Sequence, residues 1–319
     1  MRTRHALLAA AALAIGVSSP ALAHRQWLLP STTTLAGTSE YVTVDAAVSN
    51  DLFYADHVAI DPAQVKVWAP DGSEGKIENA AKGRYRSTFD VKIDKPGTWT
   101  IGMERSGVMG TFKVGGETWR VAGRGRPGGG AGGPGAGAPG AAPGSMAQQR
   151  AAGAPPAGGM GGPGGAPGGA SMKSVATVAE IPANATDVKL TETQSKNVVY
   201  VTADAPTANA FKPTGMGLEF QPITQPGALA SDEEGQFRFL VDGRPAANVA
   251  VTVVPGSKKF REAEEAQEIK TGADGVLRVK WPVAGVYWLN AKYTDNKPTT
   301  PRATERRLSF TTTLEVVAP

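Results

Sequence analysis

The chain of 319 residues contains three histidines and no cysteine, so few side chains are available to a late first-row transition metal at neutral pH. Setting aside His5, which lies in an apolar leader, His24 and His57 remain. His24 gains its interest from its position. Ala21-Leu22-Ala23 places small residues at −3 and −1 of a signal-peptidase cut, and a cut there leaves His24 as the first residue. A free terminal amine and the Nδ1 of the same histidine close a chelate ring on one ion. The proton on the amine is displaced at modest cost, because such amines ordinarily titrate near ~8. His57 supplies a third nitrogen. Three nitrogens in a T, the arrangement called a histidine brace, suit Cu(II). Asp56, beside His57, is a candidate oxygen ligand, and Asp51 and Asp61 are candidates to ligate the ion or orient the imidazole. Gln26, not a histidine, is third after the cut, which disfavours the simplest planar nickel site built on main-chain amide nitrogens.

The elements that would have to position these residues begin with the leader. Arg2 and Arg4 form its positive end, Leu7 to Val17 its apolar stretch, and Pro20 breaks the run before the cut. The apolar stretch is too short to span a bilayer well. Residues 1–23 therefore read as a signal peptide, and the mature protein as soluble, exported and without a transmembrane segment. With no cysteine there is neither a lipid attachment site nor a disulfide, although the exported compartment would allow one. The formal charge of +4 includes Arg2 and Arg4, so the processed chain carries +2. That near balance gives no footprint for nucleic acid.

Composition then divides the chain into three. Residues 24–122 and 173–319 are rich in β-branched and aromatic residues punctuated by turns. Residues 123–172 hold 20 of the 40 glycines and 8 of the 24 prolines, with almost nothing able to build a core, and read as a disordered Gly/Pro/Ala linker. In the first segment, runs at Tyr41–Val44, Gln64–Trp68, Arg84–Val91, Thr98–Met103 and Gly110–Val114 alternate in the manner of strands, with a turn at Pro70-Asp71-Gly72. In the last, Asn197–Thr202, Gln236–Val241, Val249–Val253, Val276–Trp281, Val286–Ala291 and Leu308–Val317 read as strands, around turns at Asp242-Gly243, Asp274-Gly275 and Ala284-Gly285. The fold class is all-β: two antiparallel β-sandwich domains, the first immunoglobulin-like, spanning 24–122 and 173–319. Lys258 to Lys270 reads as a solvated connection.

Other chemistry is sparse. No Gly-x-Ser-x-Gly elbow or paired-histidine metalloprotease motif occurs, and the glycine clusters lack the lysine and helix of a phosphate loop. Met146, Met160 and Met172 could touch Cu(I), but their wide spacing fits low-complexity composition. The six tryptophans sit within strand-like runs and read as core packing before any sugar platform.

Two stretches resemble a known family. His24-Arg25-Gln26-Trp27-Leu28-Leu29-Pro30 is similar to the His-x-x-Trp-Leu-x-Pro opening of exported bacterial proteins that are commonly described as periplasmic components of cobalt or nickel uptake systems and are otherwise a domain of unknown function. Gly215-Met216-Gly217-Leu218-Glu219-Phe220-Gln221-Pro222 resembles that family's Gly-x-x-Leu-Glu-x-x-Pro segment, and Gly235 through Ala291 its C-terminal transthyretin-like half, related in kind to carboxypeptidase regulatory domains. The resemblance implies a periplasmic, non-catalytic protein that handles a transition metal beside a membrane transporter, with the leading histidine carried over to His24. The residues therefore lead to three expectations. The first is a metal-binding accessory protein for copper, nickel or cobalt, using His24, His57 and Asp56. The second is a copper-brace oxidative enzyme acting on polysaccharide, with Tyr54 or Phe53 axial to the ion. The third is a structural or carbohydrate-binding envelope module.

Overall fold

The computed structural model describes residues 24–121 and 172–319; the leader and the glycine-rich stretch, with Met146 and Met160, lie outside the described residues. The described chain is all-β, with antiparallel pairing dominant and no α-helix. Among these residues no helix is long and apolar enough to cross a membrane. Composition divides the chain at 122 and 173, whereas its contacts divide it elsewhere. Described residues 24–106, 194–295 and 307–319 form one compact unit, and 107–121, 172–193 and 296–306 form a second.

Two cores fill the first unit. One lies under the sheet in which Glu40–Ser49 pairs with Arg25–Pro30 on one edge and with Ser87–Ile93 and Val58–Ala59 on the other. Its buried side chains include Leu28, Val44, Phe89, Ile101 and Trp99. The other lies between Leu218–Pro222, Glu234–Val241 and Val276–Lys280 on one side and the strands around Gly285–Asp295 on the other. One strand, Thr186–Ala203, serves both. Val198 and Tyr200 enter the second core, while Val199, Val201 and Ala203 enter the first. Successive strand side chains point to opposite faces, so Asn197 through Val201 are all buried, and the sequence there is a continuous apolar run in place of an alternating one.

Most strands fall where the alternation puts them, and the differences have local causes. Arg25–Pro30 is a strand, although both its faces are occupied and so no alternation shows. Thr98–Met103 and Gly110–Val114 are parts of one strand, Gly97–Val114. Lys258 to Lys270 is not all connection. It opens with a single 3-10 turn, Lys258–Phe260, and ends in the edge strand Gln267–Lys270, paired to Ala250–Val253. Trp27, Trp99, Trp281 and Trp288 are buried, as core packing requires.

The family-like segment at Gly215–Glu219 is a locked turn. The buried Glu219 carboxylate accepts from the Thr214 and Gly215 amides and the Thr214 hydroxyl. The Gly217 amide donates to Asp242 Oδ1 at 2.9 Å. Gly217 has φ +69°, a left-handed conformation that glycine adopts without strain. The turn leaves Met216 exposed.

The second unit is small. Phe112, Val121, Ile181 and Leu190 form its core. A two-residue hairpin, Gly115-Gly116, with both φ positive, returns Glu117–Val121 against Gly110–Val114.

The second core of the first unit centres on Phe220, whose ring lies 5.0 to 6.3 Å from those of Tyr200, Phe211, Phe237, Phe239 and Phe310. Phe220→Ala is expected to lower unfolding free energy by about 3–5 kcal/mol, measured by urea titration followed by tryptophan fluorescence.

Candidate metal centre

His24 is placed by the strand that follows it. Arg25–Pro30 runs antiparallel to Val44–Ser49, with Arg25 opposite Ser49 and Pro30 opposite Val44. Its side chains are anchored on both faces: Leu28 enters the core beneath the sheet, and Trp27 packs with Leu52, Val254 and Trp288. Polar groups fix the end of the strand. Trp27 Nε1 donates to Ser49 Oγ at 2.7 Å, and Trp288 Nε1 donates to the Gln26 carbonyl at 3.0 Å. The Arg25 guanidinium makes two bonds to the Glu264 carboxylate and lies 5.5 Å from the centre of the Trp288 ring. Such bidentate, stacked arginine geometry holds a side chain in one place. In the His-x-x-Trp-Leu-x-Pro motif, Trp and Leu are thus the two anchors and His is the tip they present.

His57 reaches the same place from the other edge of Glu40–Ser49. After Ser49 the chain loops out and returns as Val58–Ala59, paired to Val48 and Ala47. The loop is fastened internally. Asp56 accepts from the Asn50 amide at 2.9 Å and from Asn50 Nδ2 at 3.3 Å. Ser49 Oγ donates to the Asp51 carbonyl, and Lys258 Nζ pairs with Asp51 Oδ1 at 3.0 Å. Phe53 adopts φ +60°, a strained choice for a phenylalanine. Its ring meets that of Trp27 edge-on at 5.6 Å, and packing there holds the strained residue in place.

The result is contact between the two histidines. Their rings stack with centroids 3.6 Å apart and planes 8° from parallel, and both side chains are exposed. Imidazole lone pairs lie in the ring plane, so those of two parallel rings run side by side and do not converge. Chelation of one ion by both rings requires at least one to turn about its Cβ–Cγ bond, a soft torsion, and exposure leaves room for the turn. The nitrogen donors that the fold brings together here are the two imidazoles.

The carboxylates are engaged elsewhere. Asp56 holds Asn50, Asp51 holds Lys258, and Asp61 pairs with Lys82 and caps Pro62–Gln64. Lys82 and the Ala63 amide hold the Asp61 carboxyl below its ordinary range. Among the described residues no cluster of three or more histidine, cysteine, aspartate or glutamate side chains is arranged to hold a metal. Asp56 is thus a clamp on the loop that carries His57. Phe53 is turned into the Trp27 cluster. Tyr54 is exposed beneath Lys259, whose ammonium lies 5.2 Å from its ring centre and 5.0 Å from that of Phe260. Residue type does not mark Arg25, Ser49 and Asn50 as parts of a site; their only sequence signal is adjacency to His24 and the end of a strand.

Ser49 is fully buried and joins both histidine-bearing segments. Ser49→Ala leaves the Trp27 indole N–H without its acceptor. The expected cost is about 1–3 kcal/mol, read as a lower urea midpoint at unchanged m-value.

A family model described as "Domain of unknown function (DUF4198)" matches residues 21–295. No curated protein matches the chain. Among solved structures, the D0-D1 domain of intimin is 10% identical with a TM-score of 0.18, covering 91% of this chain and 97% of its own. The D00-D0 domain of intimin is 9% identical with a TM-score of 0.17, covering 90% and 99%. Escherichia coli alpha-2-macroglobulin activated by porcine elastase is 9% identical with a TM-score of 0.19, covering 93% of this chain and 31% of that one. Scores this low carry no inference.

Proposed function

This chain belongs to the DUF4198 family, a domain of unknown function, and from that premise we propose that it is an exported, non-catalytic protein that holds a divalent transition-metal ion at His24 and His57. The observation that carries the reading is the 3.6 Å stack of those two rings. They come from segments far apart in sequence, delivered to opposite edges of one strand by separate sets of anchors. A histidine pair incidental to packing would be expected to be buried or hydrogen-bonded into the fold; this pair is exposed at the tip of two braced segments. The apolar leader supports export, and a cut before His24 supplies the third nitrogen. Localisation in the periplasm and hand-over to a metal-uptake membrane transporter follow from the family-like opening motif, and belong to this proposal.

Imidazole and amine nitrogens serve copper, nickel and cobalt alike, and in a site of this type affinity rises from Co(II) through Ni(II) to Cu(II). Which ion is carried in the cell is then set by supply and delivery. The ligands must be deprotonated to bind, so loading releases protons.

The test is intact mass of the exported protein followed by calorimetric titration with Cu(II) and Ni(II). The expected result is a chain that starts at His24, binds one ion, and loses at least tenfold in affinity in His57→Ala or when one residue is added ahead of His24. Nitrogen hyperfine structure in the Cu(II) resonance spectrum should fall from three nitrogens to two in His57→Ala. A chain starting at Arg25, or an unchanged affinity in that variant, refutes the reading.

A further inference from the structure

His24 lines an open groove of about 520 Å³ in the first unit. Its floor is one face of the sheet, to which Asn197, Thr311, Asn290 and Thr252 contribute from successive strands. A polar face turned to water needs no explanation, but two of these amides are buried: Asn197 is 6% exposed and Asn290 7%. Asn290 is satisfied, donating from Nδ2 to Thr311 Oγ1 at 2.8 Å. Asn197 Nδ2 is buried and finds no hydrogen-bond partner among the described residues. A buried donor left unpaired costs about 1–3 kcal/mol, a cost that an oxygen acceptor reaching the Asn197 amide from the groove would remove.

The charges in the groove point to the kind of acceptor. Of its acidic groups, Glu264 pairs with Arg25, while Glu268 accepts from the Thr252 hydroxyl at 2.9 and 3.0 Å and keeps its charge. Lys196 pairs with Glu104 at 2.7 Å. Lys292 is exposed and makes no ion pair among the described residues. A neutral sugar would call for an open aromatic face, whereas Trp288 is 6% exposed and lies under the Arg25 guanidinium. An ammonium that makes no ion pair, an unpaired amide N–H and the Thr252, Ser309 and Thr311 hydroxyls favour a carboxylate bearing further oxygens, bound on the Lys292 side, away from Glu268.

We propose that this groove binds a small hydroxycarboxylate, and that the molecule arrives as the chelator of the ion that His24 and His57 take. The first half stands on the groove alone; the second rests on the metal reading above. A nitrogen site of three donors leaves coordination positions open to the chelator's oxygens, and His24, lining the same groove, joins the two.

The probes are citrate, Ni(II) alone, the Ni(II)–citrate complex and maltotriose, each titrated calorimetrically into the chain beginning at His24. Citrate is expected to bind the metal-free protein and to lose at least tenfold in affinity in Lys292→Glu and in Asn197→Ala, while Ni(II) alone binds both variants as it binds the parent. Lys292 is exposed, so its variant tests the groove without disturbing the core, and melting temperature checks the fold of each. Tighter binding of the complex than of citrate supports the coupled arrival; equal binding overturns that half. Citrate affinity unchanged in both variants, or maltotriose binding in preference to citrate, overturns the groove assignment. Citrate binding that responds to the variants in a chain that takes no Ni(II) upholds the groove and refutes the metal reading.

Discussion

The first unit depends on the double burial of Thr186–Ala203. Between Asn197 and Val201 no side chain is left to solvent, because alternate residues fill two different cores. Each buried valine or tyrosine stabilises by roughly 1.5–3 kcal/mol, and here consecutive residues contribute to separate cores. A one-residue slip of this strand would exchange Val198 and Tyr200 with Val199 and Val201 and mismatch both at once, so its register is strongly specified. Where the strand leaves this double cover, Lys196 and Asn197 form part of the groove.

The opening strand repeats the device on a smaller scale. Leu28 and Trp27 point to opposite faces, each into its own cluster, and Ser49, Trp288 and Glu264 bind Trp27, Gln26 and Arg25 in turn. The strand is held from Arg25 onward, so the histidine that precedes it can meet a histidine on a fastened loop. The two rings approach because their backbones have been fixed by groups that do not themselves ligate.

The two motif segments divide along the same line. In His-x-x-Trp-Leu-x-Pro only the histidine is presented; the tryptophan and leucine are anchors. In Gly-x-x-Leu-Glu the carboxylate, which residue type alone would offer as a ligand, is buried and spends its lone pairs on the amides of its own turn. Asp56 follows suit, clamping Asn50. Reading acids as ligands from spacing overlooks the nearest competitor for a carboxylate, which is an unpaired backbone N–H a few residues away.

Much of the fold was legible in the sequence because strand alternation and glycine turns act over a few residues. Asp274-Gly275 and Gln236–Val241 declare themselves without any partner in view. The absence of cysteine left histidine as the side chain best suited to a divalent late first-row metal, and the small residues before His24 mark it as a candidate terminus. Alternation missed Arg25–Pro30, whose two faces are both occupied and show no polar side to reveal the period, and it missed Glu78–Lys82, whose side chains are almost all exposed and show no apolar side. The meeting of His24 with His57, the diversion of Asp56 to Asn50, and the unpaired amide of Asn197 beside the groove were decided by tertiary structure alone. Each depends on which strand lies next to which, and that is set by the summed burial of two cores, which no local run of residues contains.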